Sequence, residues 1–355
     1  MPFLPGLTLN ERYYTELVGP LLKQYDPSLR YSAGLIGYGS DVLGYDNGTS
    51  MDHNWGPRMQ IFVSKADARR IEEIKVYLRT HLPGEFIGFP THFSEKGPDG
   101  TQRMEVHRSG EVNHLIEVYV LDDYFDEFLH KDVSELSNPD WLRIPEQRLV
   151  ELTRGRVFHD GLGRLNEIRS GLRYYPREVK LVKLAVYWDW VSNEEAFVGR
   201  AVEFGDLLGL KMLAARMVNT MLKICFVLKE TYVPYSKWFI RAFDDLGLVE
   251  IKALALGVLT ENEPARIETL VSELVMAVLA LQNASAGVPR VERVISKYYN
   301  RPYKVIMAGE IVSALRAAIT DEQLKGIDLT LVGLDNKLDS SDFTNGDVLG
   351  RFLRK

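Results

Sequence analysis

The stretch that decides the fold is GYGSDVLGYDNGTSMDHNWGPR, residues 37–58. It continues an apolar run, 31–40, which predicts a buried strand that ends in glycines. A Gly39-Ser40 turn at the end of a strand leaves backbone amides and a hydroxyl open to phosphate oxygens. Asp52 follows after eleven residues, and in a strand-like segment Asn54 would project on the same face. The stretch therefore predicts a phosphate-binding turn with a carboxylate that could hold magnesium.

Strand and helix patterns alternate around this stretch. Apolar periodicity predicts helices and strands in turn, which favours an α/β domain in the first 138 residues. The predicted elements are a helix over 8–25, a strand over 58–64, a helix over 66–81, and strands over 103–109 and 113–121. From residue 139 the chain predicts helices alone, over 176–191, 194–208, 210–232, 236–247, 264–284 and 304–319. The tail 327–355 is rich in Asp, Asn, Ser and Gly.

Further polar residues are candidates for the same site. Glu117 lies in the apolar run LIEVYV, an unusual place for a carboxylate without a partner or a role. Glu105 is the competing choice for a third carboxylate. Arg58 either contacts phosphates or pairs with an acid. Lys237 follows the helix break at Pro234, and either it faces an anion or it is solvated with its stem on Trp238.

Charge and composition exclude several classes of protein. The chain carries 43 Lys and Arg against 49 Asp and Glu, a formal charge of −6, which argues against a nucleic-acid partner. No apolar run is long enough to span a membrane, and no secretory signal begins the chain. The single cysteine, Cys225, excludes a disulfide framework. We expect a cytoplasmic protein, and the sequence leaves its oligomeric state open.

Five blocks of sequence carry a resemblance to a known superfamily. They are 37–58, PDWLRIPEQRLVELTRGRVFHD (139–160), GRAVEFGDLLG (199–209), VPYSKWFIRAF (233–243) and RPYKVIMAGEIV (301–312). The chain resembles the nucleotidyltransferases of the DNA polymerase beta and kanamycin nucleotidyltransferase superfamily. It looks most like a family of nucleotidyltransferase-like bacterial proteins of unassigned activity. The resemblance implies an α+β protein. A mixed sheet with flanking helices in 1–138 would precede an all-helical domain, 139–355, that contributes an acceptor pocket.

The resemblance also implies a reaction and its residues. Magnesium would be held by Asp52, Asn54 and Glu117, and Glu117 would act as general base. A nucleoside triphosphate, taken as ATP, would be bound by Gly39, Ser40, Arg58 and Lys237, in a cleft between the two domains. A nucleotidyl group would pass to an acceptor hydroxyl on a small molecule or a protein. Asp206 and Arg200 would either face this cleft or form a helix ion pair.

Asn54 departs from the superfamily, which has a second metal-binding carboxylate at this position. An asparagine supplies a neutral oxygen in place of a charged one, so metal affinity falls. Three interpretations follow. Asp52 and Glu117 suffice, another acid such as Asp46 substitutes, or the chain is a degenerate nucleotidyltransferase that binds a nucleotide or a protein partner without catalysis.

Overall fold

A computed structural model of the chain describes residues 3–98 and 100–338. The chain divides into two compact units, and each is built from two segments. The first unit comprises Met1–Leu136 and Arg148–Arg173, and the second comprises Ser137–Gln147 and Tyr174–Lys355. The predicted domains, 1–138 and 139–355, are continuous segments. The observed units differ from them because a segment after residue 147 completes the first unit.

The first unit is built around a mixed sheet of four strands. The strands are β1 (Tyr31–Leu35), β2 (Arg58–Val63), β3 (Leu115–Val120) and β4 (Arg156–Asp160), in the order β3-β2-β1-β4. The β2–β3 pair is parallel, and β1 is antiparallel to both β2 and β4. Two further pairings of two-residue strands occupy 85–90 and 92–105. The mixed sheet predicted from the resemblance is confirmed.

Sixteen α-helices lie in the described ranges. In chain order they are α1 (Gly6–Tyr13), α2 (Gly19–Tyr25), α3 (Ser40–Leu43), α4 (Ile71–His81), α5 (Leu121–Leu129), α6 (Asn138–Trp141), α7 (Glu146–Thr153), α8 (Leu165–Gly171), α9 (Arg177–Glu203), α10 (Leu207–Leu228), α11 (Ser236–Asp244), α12 (Val249–Thr260), α13 (Pro264–Ala284), α14 (Ala308–Ala317), α15 (Glu322–Lys325) and α16 (Leu334–Leu338). A π-helical turn, Tyr14–Val18, joins α1 to α2.

Side-chain alternation along β2 separates the two faces of the sheet. Met59, Ile61 and Val63 belong to a buried core with residues of α1, α2 and α4. Arg58, Gln60 and Phe62 therefore project from the opposite face. Since β2 and β3 pair in parallel with Gln60 beside Glu117, the carboxylate of Glu117 shares that face. Arg58, Gln60 and Glu117 thus lie on the face of the sheet opposite the buried core that includes residues of α1, α2 and α4.

The second unit is mainly helical. Helix α9 packs against α10 and α14, and α13 packs against α10 and α12. Trp188 and Trp190 of α9, and Met217 and Met221 of α10, are buried or half-buried and pack in the core, whereas Met212 of α10 is exposed. None of the helices in the described ranges is long and apolar enough to cross a membrane.

The prediction of helices alone after residue 139 needs two corrections. Strand β4 lies in this region, because Gly155 takes a positive φ of 79° and turns the chain onto the edge of β1. A hairpin of β5 (Ser296–Tyr298) and β6 (Arg301–Val305) replaces the predicted start of the last helix. That helix begins only at Ala308, after Met307 at φ 59°. In the first unit, the strand predicted over 103–109 shrinks to Met104–Glu105.

Part of the predicted tail lies outside the described residues. Within 327–338 the chain forms a 3₁₀ turn, Leu329–Leu331, followed by α16. The remainder, 339–355, is not among the residues that the structure describes.

Candidate functional site

The Gly37–Ser40 turn follows β1 and leads directly into α3. Gly37 has φ 88° and Gly39 has φ 126°, a backbone region that side chains with a Cβ rarely adopt. A Cβ on Gly39 would also lie 2.2 Å from Oδ1 of Asp41 and 2.5 Å from Nη2 of Arg58. The amide of Gly37 donates to the carbonyl of Glu151 at 2.9 Å. Glycine at position 39 is therefore required by both conformation and space.

A buried ion pair holds this turn in place. Nε and Nη2 of Arg58 donate to the two carboxylate oxygens of Asp41 at 3.0 and 2.8 Å. Nη2 also donates to the carbonyl of Tyr38 at 2.8 Å. Burial works against the charge on Arg58, but the Asp41 carboxylate outweighs it, and the net pKa of the guanidinium is raised. Arg58 thus pairs with an acid, one of the two roles expected from the sequence, and its use by a nucleotide stays a prediction.

Asp41 is a structural residue of the site that the sequence analysis did not single out. The sequence around Asp41 could have identified it, since Asp41 directly follows Gly39-Ser40 and precedes the apolar Val42 and Leu43. An aspartate in an apolar stretch needs a partner, and Arg58 is the first Lys or Arg after it in the chain.

The turn leaves hydrogen-bond donors open. Gly39 and Ser40 are half-buried. Their amides lie at the start of α3, where backbone N–H groups have no acceptor within the helix. Within the described part of the chain, neither amide nor the Ser40 hydroxyl makes a hydrogen bond. These three donors are chemically suited to phosphate oxygens.

Asn54 lies in a turn, so the prediction that Asp52 and Asn54 alternate along a strand is wrong. Strand β2 begins only at Arg58, because Asn54 has φ 48° and Gly56 has φ 142°. The amide of Asn54 donates to the carbonyl of Gln102 at 2.9 Å, and the amide of Gln102 donates to Oδ1 of Asn54 at 2.7 Å. A backbone N–H needs an oxygen acceptor, which fixes the orientation of the side-chain amide. The remaining end of Asn54 is its NH₂ group, which cannot ligate a cation.

The other acids of this loop have different neighbours. Asp52 is exposed and its Oδ2 lies 2.8 Å from Nδ1 of His53. That hydrogen bond lowers the pKa of the Asp52 carboxyl, and the charge of Arg103 adds to the effect. The Asp46 carboxylate makes hydrogen bonds within the protein: its Oδ2 accepts from the amide of Gly6 at 2.7 Å and from the indole of Trp55 at 2.9 Å.

Glu117 projects from β3 into a group of aromatic and charged side chains. Burial raises the pKa of the nearby Tyr119 hydroxyl, and the charge of Glu117 raises it further. The charge of Glu117 also acts on Tyr38 and Arg58. Glu105, the alternative third carboxylate, is exposed on a two-residue strand opposite His92. The structure therefore groups Glu117 with the Gly37–Ser40 turn through Tyr38 and Arg58.

The described residues contain no ready-made cluster of acids and histidines for the predicted magnesium centre. Across residues 3–98 and 100–338, no group of three or more His, Cys, Asp or Glu side chains is arranged to hold a metal ion. The Asn54 oxygen accepts from the Gln102 amide, and Asp52 lies beside His53. Magnesium binding by Asp52 or Glu117 stays a prediction.

The candidates in the second unit have local contacts of their own. Lys237 is exposed, with its Nζ 5.0 Å from the centre of the Trp238 ring, which matches the alternative of a solvated lysine. Asp206 caps α10 by accepting from the amide of Gly209 at 2.8 Å, and Arg200 lies over the Phe204 ring. A contact between Lys237 and a nucleotide stays a prediction.

Comparisons with known proteins gave matches to a family model and to solved structures. A family model described as a domain of unknown function, DUF4037, matches residues 141–239. Among solved structures, a nucleotidyltransferase-like protein from Exiguobacterium sibiricum 255-15 is similar, with 10% identity and a TM-score of 0.35. The similarity covers 76% of this chain and 74% of that one. No curated protein matches the chain. These findings assign no activity.

Proposed function

We propose that the first unit binds the phosphate groups of a nucleotide at the Gly37–Ser40 turn. The observation that carries the proposal is the turn itself, where two glycines at positive φ leave the amides of Gly39 and Ser40 and one hydroxyl without partners among the described residues. Consecutive backbone amides in such a turn form an anion-binding concavity. The nucleotide is the ligand class that the resemblance implies for a Gly-Ser turn.

The buried ion pair makes the turn suitable for an anion. Asp41 lies directly beneath Gly39, and an unpaired carboxylate there would repel a phosphate. The two-point contact with Arg58 neutralises this charge and fixes the backbone at the same time. Phosphate binding then needs no rearrangement of the turn, which limits the entropic cost of association.

We further propose that this binding does not require magnesium. The side-chain oxygen of Asn54 is occupied by Gln102, and its free NH₂ group is a donor. The second position of the metal-binding motif therefore supplies no charged ligand, and its one oxygen is already shared with the Gln102 amide. This favours the degenerate nucleotidyltransferase, which binds a nucleotide without catalysis, over magnesium-dependent nucleotidyl transfer.

Calorimetric titration of ATP into the full chain tests the proposal. We expect binding in both magnesium and EDTA buffers, with similar dissociation constants. Ser40→Ala removes a hydroxyl that no described residue uses, so it should weaken binding by about fivefold without changing the melting temperature. Ser109→Ala is the control, since Ser109 is an exposed serine of the first unit and, like Ser40, its side chain has no hydrogen-bond partner among the described residues.

Two results would contradict the proposal. Absence of binding in both buffers would exclude a nucleotide site at this turn. Binding that appears only with magnesium and is lost in Asp52→Ala would instead support magnesium-dependent nucleotidyl transfer.

A further inference from the structure

The β5–β6 hairpin of the second unit has a positively charged outer face. Its inner face is fixed, because Tyr303 and Val305 are buried with Ala196 of α9 in a small apolar core. On the outer face, Lys297 of β5 and Lys304 of β6 lie directly opposite each other in the strand register. Both lysines are exposed, and the whole hairpin belongs to the second unit.

The two opposed lysines have no acid to neutralise them. Within residues 3–98 and 100–338, neither Lys297 nor Lys304 forms an ion pair, and Nζ of Lys304 donates to the neutral hydroxyl of Thr269 at 2.8 Å. The nearby carboxylate of Glu268 accepts from the backbone amide of Lys304 at 3.0 Å. Like charges directly opposite each other on paired strands are destabilising. The hairpin therefore carries a repulsion that one glutamate at position 297 would convert into an attraction.

A second costly feature lies at the tip of the hairpin. Tyr299 has φ 54°, in a backbone region that bulky side chains rarely adopt and that glycine or asparagine would occupy at lower cost. Burial of the ring does not offset this cost, since Tyr299 is 74% exposed. Among the described residues its ring contacts only that of Tyr298, edge-on, with ring centres 4.8 Å apart. A strained residue without a packing role points to recognition of a ligand.

Two arginines extend the positive charge beyond the lysines. Arg301 of β6 is exposed and forms no ion pair in the described ranges. Helix α9 places Arg200 beside the hairpin, since a Cβ on the neighbouring Gly199 would lie 2.6 Å from Cβ of Tyr303. Arg200 is exposed too, with its guanidinium 5.4 Å from the ring centre of Phe204.

The acids around this surface have protein partners. Glu203 of α9 accepts a hydrogen bond from the Tyr303 hydroxyl. Two more arginines next to the hairpin are neutralised by the local ion pairs Arg290–Glu292 and Arg293–Glu310. The residues left exposed to a ligand form what we call the hairpin surface: Arg200, Lys297, Tyr299, Arg301 and Lys304.

We propose that the hairpin surface binds single-stranded nucleic acid. Cations spread along a hairpin and a helix suit a chain of phosphates, whereas a single small anion needs donors that converge on one point. The exposed ring of Tyr299 gives a base a face on which to stack, the combination used in sequence-tolerant single-strand binding. Bound phosphates would also relieve the repulsion between Lys297 and Lys304.

This inference is independent of the nucleotide site in the first unit, because it uses no residue of that unit. It is also compatible with the formal charge of −6, which belongs to the whole chain. The hairpin surface itself carries four positive charges and no acid.

Fluorescence anisotropy with the full chain and a labelled oligo(dT) of about 12 nucleotides tests the inference. Each neutralised phosphate of a single strand contributes about 0.7 to the slope of log affinity against log salt, so four cations predict a slope of about −3. Lys297→Ala should weaken binding about fivefold at low salt and reduce the slope by about 0.7. Lys229→Ala is the matched control and should have no effect. Lys229 is also an exposed lysine without an ion pair among the described residues, and it lies at the end of α10 away from α9.

Variants of Tyr299 separate base stacking from charge. Tyr299→Phe keeps the aromatic face and should bind oligo(dT) as the wild type does. Tyr299→Asn removes the ring but tolerates a positive φ. We expect it to weaken binding about tenfold while raising the melting temperature of the ligand-free protein.

Three results would overturn the inference. The first is an absence of oligo(dT) binding at low salt. The second is Tyr299→Asn that binds as the wild type does, or that melts at a lower temperature, since the ring would then serve folding. The third is equal affinity for polyglutamate of similar charge, which would indicate an acidic protein as the partner.

Discussion

At the scale of single residues, the orientation of Asn54 decides what the candidate site can bind. Its oxygen accepts from the amide of Gln102, and the other end of the side chain is an NH₂ group, which is a donor and carries no negative charge. Asparagine suits this position for a second reason, because it tolerates positive φ better than most residues. Asn54 therefore stabilises the turn, whereas a carboxylate at this position would be needed to supply a charged metal ligand.

Asn54→Asp should create magnesium-dependent nucleotide binding. One oxygen of the new aspartate keeps the bond from Gln102, and the other replaces the NH₂ group with a charged ligand. We expect magnesium to tighten ATP binding by roughly 1–3 kcal/mol in the variant, the range for a charged over a neutral partner. Calorimetry in magnesium and in EDTA measures the difference. Asn47→Asp adds the same charge to an asparagine in the same loop whose oxygen already caps a turn, so it should show no such gain. Equal effects of magnesium in both variants would contradict the account.

Arg58 is the second residue with a measurable structural role. Replacing it with methionine leaves the buried Asp41 carboxylate without its partner, which costs about 3–5 kcal/mol in comparable cases. We expect urea denaturation of Arg58→Met to show a loss of this size. The double variant Arg58→Met/Asp41→Leu should recover much of the loss, because no buried charge remains. A single variant as stable as the wild type would show that the pair does not hold the turn.

At the scale of elements, Asp160 joins the end of β4 to β1 and to the start of α8. Its carboxylate accepts from the Ser32 hydroxyl at 2.6 Å and from the amide of Asn166 at 2.9 Å. Partial burial raises the pKa of Asp160, but the Ser32 hydroxyl and the amides outweigh it and lower the net value. A carboxyl with a lowered pKa stabilises the folded state above its unfolded pKa and loses that contribution as the pH falls through its folded pKa.

Asp160→Asn should therefore reduce stability in a pH-dependent way. At pH 7 we expect a loss of about 1 kcal/mol, allowing for solvent screening. The difference in the free energy of unfolding between the variant and the wild type should shrink as the pH falls below the ordinary aspartate pKa near 3.9. Urea denaturation at a series of pH values measures it. A difference that stays constant down to acid pH would show that the charge of Asp160 is not what stabilises this junction.

At the scale of the whole molecule, the first unit depends on a segment beyond the predicted domain boundary. Strand β4 covers one edge of β1, and it lies after residue 155. A fragment of residues 1–138 lacks this strand and exposes the unpaired edge of β1. We expect fragment 1–173 to unfold cooperatively by circular dichroism and fragment 1–138 to lack a cooperative transition. Equal cooperativity in the two fragments would place β4 outside the stable core of this unit.

Much of this architecture follows from local patterns in the sequence. The strands at 58–63 and 115–120 and helices α10 and α13 have strong periodicity, so their positions were predictable. The two helices predicted over 176–191 and 194–208 are instead the single helix α9. Strand β4 is short and half-exposed, and only its pairing with distant β1 stabilises it, which a local pattern does not reveal. The Gly37–Ser40 turn was identified from its glycines. The roles of Asp41 and Asn54 depend on partners 17 and 48 residues away, and this information lies in the fold.

The most direct test of the central claim is an amide chemical-shift titration with ATP in EDTA, by NMR on the deuterated full chain. If the Gly37–Ser40 turn binds phosphates, the amide resonances of Gly39 and Ser40 should shift in a saturable way, since these amides are the proposed donors. The amides of Ser236 and Asn219 in the second unit should not follow the same titration. Saturable ATP binding that leaves Gly39 and Ser40 unshifted, or no shifts anywhere, would contradict the account.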